Sequence, residues 1–238
     1  QSLEEYVSDC VIMLDHRVIE QVSTRRLRII KYRGSTHGTN EYPFLIDEDG
    51  ISVLPITSLK LDNPVSSDIV STGVPGLDDL FDKGGFYRGS NILVSGTAGT
   101  AKTTIAAYFA DEQCRKKEKT VYFAFEESPQ QLVRNMRSIG IDLEHHIKNG
   151  YLEIHSSRPS LNGLELHLLK LRKMIRDFKP TTVIIDPISN LMNVGSVHEV
   201  RSMLVRLIDM LKINNITTFF TSLNQQNEDF RPDLAEDS

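Results

Sequence analysis

Cysteine is nearly absent from this chain, with only Cys10 and Cys114 among 238 residues. Two cysteines this far apart make neither a disulfide framework nor a C-x-x-C pair, and the seven histidines show no zinc-ligand spacing. Both cysteines are therefore expected as buried apolar fillers. No apolar run reaches the length of a membrane span. The N-terminus has no basic stretch followed by an apolar secretory segment, so the cytoplasm is the expected location. Tandem repeats and low-complexity tracts are missing too. Positive charge is not in excess: the formal balance is −5 and the pI is near 5.8. That balance leaves no overall electrostatic footprint for nucleic acid, and any such contact would need a local basic patch.

What is present is enough apolar material for a sizeable core, 39% of the residues, arranged in two different rhythms. From Val70 onward, strand-like and helix-like units alternate. Strands are expected at residues 91–95, 120–125, 151–155, 182–185 and 216–221, and helices at 102–117, 129–139, 161–178 and 197–211. Strands separated by helices of this length imply a parallel sheet covered on both faces. The first sixty residues instead read as a β-meander, with short strands at 7–14, 26–32, 44–46 and 51–54 and no long helix between them. Residues 55–71, with Pro64 and several serines, read as a connector.

The chemistry is concentrated in Gly96-Thr97-Ala98-Gly99-Thr100-Ala101-Lys102-Thr103, which follows the apolar run Asn91-Ile92-Leu93-Val94-Ser95 and opens a helix. In such a phosphate-binding loop, backbone N–H groups and a helix N-terminus surround anionic oxygens. The lysine neutralises the outer phosphates and the next hydroxyl meets Mg²⁺. A nucleoside triphosphate is the implied ligand. Ala101 departs from the G-x-x-x-x-G-K-[ST] pattern by replacing the second glycine. Its methyl group fits a helical backbone, whereas a left-handed one would cost roughly 1–2 kcal/mol.

A phosphate loop needs an acidic partner, and Val183-Ile184-Ile185-Asp186 puts a carboxylate at the end of an apolar strand. A strand-end aspartate is equally a turn or cap residue, and it is Lys102 and Thr103 in the same chain that favour the Walker B reading. Glu126 and Glu127 follow the strand ending in Phe125. Consecutive residues point to opposite faces, so one of the pair is expected to address the γ-phosphate, orienting and deprotonating water or a hydroxyl. A solvated helix start, opened by Ser128 and Pro129, is the plainer alternative for Glu126. In the meander, Lys31 and Arg33 sit two apart and are expected on one face, beside Gly34, Ser35, Thr36 and His37. On composition alone such a basic strand more often guards a sheet edge than clamps a phosphate.

Taken together these features resemble the RecA-like ATPases, and within them the KaiC family. The resemblance runs through Ser71-Thr72-Gly73, Leu77-Asp78 and Gly84-Gly85, then Phe125-Glu126-Glu127-Ser128-Pro129-Gln130, Arg137-Ser138 and Ile185-Asp186. It includes Lys31-Tyr32-Arg33-Gly34-Ser35-Thr36-His37 with Glu41-Tyr42-Pro43-Phe44. It implies that residues 1–61 are the closing meander of an upstream ATPase domain with the start of a linker. Residues 62–238 would be a RecA-like ATPase domain without its own C-terminal strands.

By the same resemblance, Gly99, Thr100, Ala101, Lys102, Thr103 and Thr104 wrap the phosphates, and Ser138 lies near the base and sugar. Thr103, Glu126 and Asp186 surround Mg²⁺, Glu126 is the general base and Glu127 assists it. Lys31, Tyr32, Arg33, Ser35 and His37 reach ATP across a subunit interface, with Lys31 and Arg33 neutralising transition-state charge. The implied protein is an ATP-hydrolysing regulator that forms a homo-oligomeric, hexameric ring and answers to regulatory protein partners. Three other functions share the motif: a serine/threonine autokinase, a nucleic-acid motor or recombinase, and an ATP sensor without turnover. The acidic balance argues against the motor. By the same resemblance, Glu5 and Tyr6 stand at the place that corresponds to the phosphorylated Ser-Thr pair of the family's circadian-clock member, which leaves self-phosphorylation at that pair without support.

Overall fold

The computed structural model describes residues 3–19, 22–47, 50–53, 65–158, 163–194 and 197–224. It opens with a short helix, α1 (Leu3–Val7), followed by β1 (Cys10–Ile19), β2 (Val22–Tyr32), β3 (Glu41–Asp47) and β4 (Gly50–Val53). These four strands form one antiparallel sheet in the order β1-β2-β3-β4, the expected meander. Its first two strands are longer than expected because the charged residues within them pair. Arg17 reaches Glu41 at 3.1 Å and Arg26 reaches it at 3.3 Å, so Glu41 ties three strands together. The strand expected over 7–14 starts later. Ser8 donates to the Glu4 carbonyl at 2.6 Å and Lys31 donates to the carbonyls of Glu5 and Tyr6, so the carbonyls at the end of α1 are satisfied in a helical turn. Cys10, expected to be buried, is exposed at the start of β1, whereas Cys114 is buried.

The second unit begins with β5 (Ile69–Val70), α2 (Pro75–Asp78) and β6 (Phe86–Tyr87), then alternates: β7 (Asn91–Gly96), α3 (Lys102–Arg115), β8 (Thr120–Ala124), α4 (Pro129–Arg137), α5 (Leu143–Lys148), β9 (Leu152–Ser156), α6 (Leu164–Phe178), β10 (Thr182–Asp186), a 3₁₀ turn (Ile188–Asn193), α7 (Val197–Ile213) and β11 (Thr217–Leu223). The five longer strands make a parallel sheet in the order β7-β11-β10-β8-β9. Side-chain alternation divides the core into two layers. Tyr122, Ala124, Ile184 and Phe219 pack with Ala106, Phe109 and Ala110 of α3 and with Leu132 and Met136 of α4. Val121, Phe123, Val183 and Ile185 pack with Leu168 and Leu171 of α6 and with Met203 and Leu207 of α7. Phe109 stacks on Phe219 with ring centroids 5.1 Å apart.

β11 lies inside the sheet, between β7 and β10, and its Thr217, Thr218, Phe219, Phe220 and Thr221 are buried. β7 and β9 are the two edges, and Leu93 of β7 is 60% exposed. Residues 54–64, which hold most of the expected connector and the boundary at 61/62, lie outside the described residues, as does Leu161. No helix among the described residues is long and apolar enough to cross a membrane.

Candidate functional site

The carboxyl ends of β7, β11, β10 and β8 share one edge of the parallel sheet, the position where open α/β sheets hold ligands. β7 delivers the glycine-rich loop to this edge. Within the loop the Thr100 hydroxyl donates to the Thr97 carbonyl at 2.9 Å, and the Lys102 ammonium donates to the same carbonyl at 2.6 Å. Gly96 permits this closure, since a β-carbon there would lie 2.7 Å from Thr100 Oγ1. Gly99 takes φ 78° and Ala101 φ 63°, ψ 23°. Position 101 therefore adopts the left-handed alternative, the one that carries a steric cost for any residue with a β-carbon. Ala101 is also the residue before the first turn of α3, and it offers no side-chain cap. The leading N–H groups of this helix are thus not claimed by a capping side chain, which leaves donors for an anion. Thr103 and Thr104 sit half-buried in that first turn.

Asp186 ends β10, two strands from the loop, and is 7% exposed. Both of its oxygens are held. The Tyr122 hydroxyl of β8 donates to Oδ2 at 2.6 Å and the Thr221 hydroxyl of β11 donates to Oδ1. Thr221 in turn stands opposite Val94, two residues before Gly96, so register brings the carboxylate level with the loop's origin. Burial, and after it the charge of Asp186, holds the Tyr122 phenol well above its usual range, with a smaller contribution from Glu127. The phenol accordingly stays a donor, and the Glu127 charge falls within electrostatic reach of this pair.

The two glutamates diverge beyond β8. Glu126 is exposed and accepts from Asn190 Nδ2 in the 3₁₀ turn at 3.2 Å. Glu127 is half-buried, and its Oε1 accepts from Asn135 Nδ2 of α4 at 3.3 Å, while its Oε2 is buried without a hydrogen-bond partner. Ser138 follows the last turn of α4, exposed, and donates to the Asn135 carbonyl at 2.7 Å.

The meander residues form a separate group. Lys31 Nζ donates to the Glu5 and Tyr6 carbonyls at 3.2 and 3.0 Å, and Arg33 pairs with Asp9 at 3.2 Å. Tyr32 is 46% exposed. Ser35 bonds the Thr36 carbonyl and His37 the Gly38 carbonyl. Among the described residues, neither Lys31 nor Arg33 is hydrogen-bonded or ion-paired to the loop of the same chain. Lys31, in β2, and Arg33, just beyond its end, both contact the segment 5–9.

Four side chains at the site escaped sequence reasoning: Tyr122, Thr221, Asn135 and Asn190. A tyrosine in an otherwise apolar buried strand was a usable signal, because a buried phenol needs a hydrogen-bond partner. The asparagines lie in helical segments whose docking against the glutamates depends on tertiary packing.

Among the described residues no three His, Cys, Asp or Glu side chains converge into a cluster able to hold a metal ion. The donor set fits Mg²⁺ in a different way. One carboxylate, one hydroxyl on a helix start and an unpartnered buried Glu127 oxygen suit an ion that takes its remaining ligands from water and phosphate.

Comparison with known proteins agrees with this geometry. The family model described as "ATPase: KaiC" matches residues 1–58 and 70–236. The circadian clock protein KaiC2 of Synechocystis sp. (strain ATCC 27184 / PCC 6803 / Kazusa) is 50% identical over 236 residues, which cover 99% of this chain and 42% of that protein. The circadian clock oscillator protein KaiC of Picosynechococcus sp. (strain ATCC 27264 / PCC 7002 / PR-6) is 38% identical over 224 residues, 94% of this chain and 43% of that protein. The chain thus spans about two fifths of the length of these relatives.

Proposed function

We propose, from the premise that this chain belongs to the KaiC family of ATPases, that it binds ATP with Mg²⁺ at the loop between β7 and α3 and hydrolyses it. Its fold is the RecA-like α/β arrangement of that family. The observation that carries the proposal is the loop itself: a strand, a glycine turn closed by Lys102, and an uncapped helix N-terminus, with both oxygens of Asp186 held at the end of β10, two strands away in the same sheet.

In this reading the N–H groups of residues 99–104 bind the phosphate oxygens, and the Lys102 ammonium exchanges the Thr97 carbonyl for the β- and γ-phosphates. The Thr103 hydroxyl and the Asp186 carboxylate hold the metal's surroundings. When bound, Mg²⁺ would neutralise charge on the transferred phosphoryl group. Glu126 accepts the proton of the attacking water, with Glu127 assisting, and Ser138 borders the base and sugar. Titration calorimetry with ATP and Mg²⁺ tests the site. Lys102→Ala should lose most of the binding, and unchanged affinity in a folded variant would mean the phosphates are held elsewhere.

The same proposal includes assembly into a homo-oligomeric ring in the cytoplasm, with Lys31 and Arg33 serving a neighbouring subunit's nucleotide. That neither is hydrogen-bonded or ion-paired to the loop of its own chain, among the described residues, supports that reading. Mixing Lys102→Ala with Arg33→Ala subunits should restore part of the activity. Absence of rescue, or full hydrolysis by a monomer in sedimentation, would remove the intersubunit element. A second reading, ATP sensing without turnover, is favoured by the strained Ala101, and a phosphate-release assay separates it from the first. Autokinase activity would use the same carboxylate on a Ser or Thr hydroxyl, and mass spectrometry after incubation with ATP detects it.

A further inference from the structure

We infer that Tyr122 and Thr221 are positioning residues for the Walker B carboxylate, together fixing the plane of Asp186 so that its remaining lone pairs face the metal of a bound nucleotide. The inference rests on the nucleotide site proposed above and assigns it a support that the motif does not contain.

The geometry is specific. β10 is flanked by β8 and β11, and each neighbour contributes one hydroxyl to one oxygen of Asp186. Tyr122 stands opposite Ile184, two residues before Asp186, so the two side chains project from the same face of the sheet. The phenol spans that two-residue step of about 6.6 Å along the strands; a shorter hydroxyl at position 122 could not. Tyr122 is fully buried, with 0% exposure, and the carboxylate is its hydroxyl's partner. The last torsion of an aspartate is broad and only two-fold when unconstrained. With a donor on each oxygen from opposite sides, rotation is blocked. Each oxygen still keeps acceptor capacity, which is what a metal-bound water needs. Phenylalanine would fill the same volume and hold nothing, so packing alone does not account for a tyrosine here.

Outer partners of this kind change metal affinity by about 10–100-fold when removed, and that effect is measurable without turnover. Mn²⁺ titration followed by electron paramagnetic resonance, on the full chain with ATP present, gives the half-saturating metal concentration. ATP binding in chelator gives the metal-independent affinity. Tyr122→Phe and Thr221→Val should each raise half-saturating Mn²⁺ about 10–100-fold with metal-free ATP affinity unchanged, whereas Thr221→Ser should resemble the parent. If Tyr122→Phe does not fold, the contrast between Val and Ser at position 221 decides.

Asp186→Asn separates the two levels of the claim. Should Asp186→Asn weaken Mn²⁺ while both hydroxyl deletions leave it unchanged, the clamp is only structural and the inference fails with the nucleotide site intact. Equal loss of metal-dependent and metal-free ATP binding in the hydroxyl variants would also overturn it. Unchanged Mn²⁺ affinity in Asp186→Asn would overturn the metal reading and the clamp together.

Discussion

Ala101→Gly should stabilise the protein, contrary to the usual effect of introducing glycine. Ala101 is held at φ 63° and ψ 23°, where a β-carbon costs about 1–2 kcal/mol. The side chain is exposed, so removing the methyl group sacrifices little burial. The Ala101 carbonyl still accepts from the Ile105 N–H at 3.0 Å. Against the relief stands the greater freedom of glycine in the unfolded chain, about 0.4–1 kcal/mol. The difference leaves a net gain of about 0–1.6 kcal/mol, centred near 0.8, or roughly 2–3 °C at that centre in the thermal midpoint of a chain this size. ATP affinity should stay within about two-fold, because strain present with and without ligand cancels in a binding equilibrium. Ala101→Val supplies the opposite arm, since a β-branched residue in this region is a pronounced outlier. Calorimetric melting of the three proteins checks the series. A lower midpoint for Ala101→Gly, or an unchanged one for Ala101→Val, would refute the strain at this position.

Three further predictions concern other parts of the fold. Glu126→Gln should keep ATP binding and slow phosphate release about 10²–10⁴-fold, with a smaller effect for Glu127→Gln. The reverse order would move the base to Glu127, whose Oε2 is buried and unpartnered. Gly73→Ala should cost about 2–4 kcal/mol in urea denaturation, because φ is +77° and the new β-carbon would lie 2.6 Å from the Tyr108 carbonyl oxygen of α3; a wild-type midpoint would contradict the close approach. Asp78 is pushed up by burial but pulled further down by donors from Ser71 and Thr72, leaving it below the ordinary value of 3.8. Its contribution to stability is therefore complete above about pH 5 and is lost as pH falls through the ordinary value and then the depressed folded one. The stability gap between the parent and Asp78→Asn should shrink in acid, and a gap that widens there would reverse the assignment.

Much of the phosphate-loop half was legible because its signals are local. An apolar run ending in glycines, then a helix with Lys102 and Thr103 at its start, needs no tertiary information. The same holds for the fully buried strand Thr182–Asp186. What the chain order concealed depends on neighbours that are distant in sequence. The place of Thr217–Leu223 inside the sheet follows from how crossovers stack, and only its two-sided burial betrays it. The contact from Tyr122 to Asp186 depends on the register between β8 and β10. Ala101 could be read as helical or left-handed until the loop was closed by Thr100 and Lys102. At the N-terminus, β-branched and apolar residues suggested a strand from Val7, but the Lys31 ammonium, 24 residues beyond Val7 in the chain, caps the helical carbonyls of Glu5 and Tyr6 instead.

A crystal structure of the chain with Mg²⁺ and a non-hydrolysable ATP analogue tests the central claim most directly. The account predicts the triphosphate in the loop formed by residues 97–103, Lys102 released from the Thr97 carbonyl onto the outer phosphates, and the metal between the Thr103 hydroxyl and Asp186. Nucleotide bound elsewhere, with Lys102 still on Thr97, would contradict it.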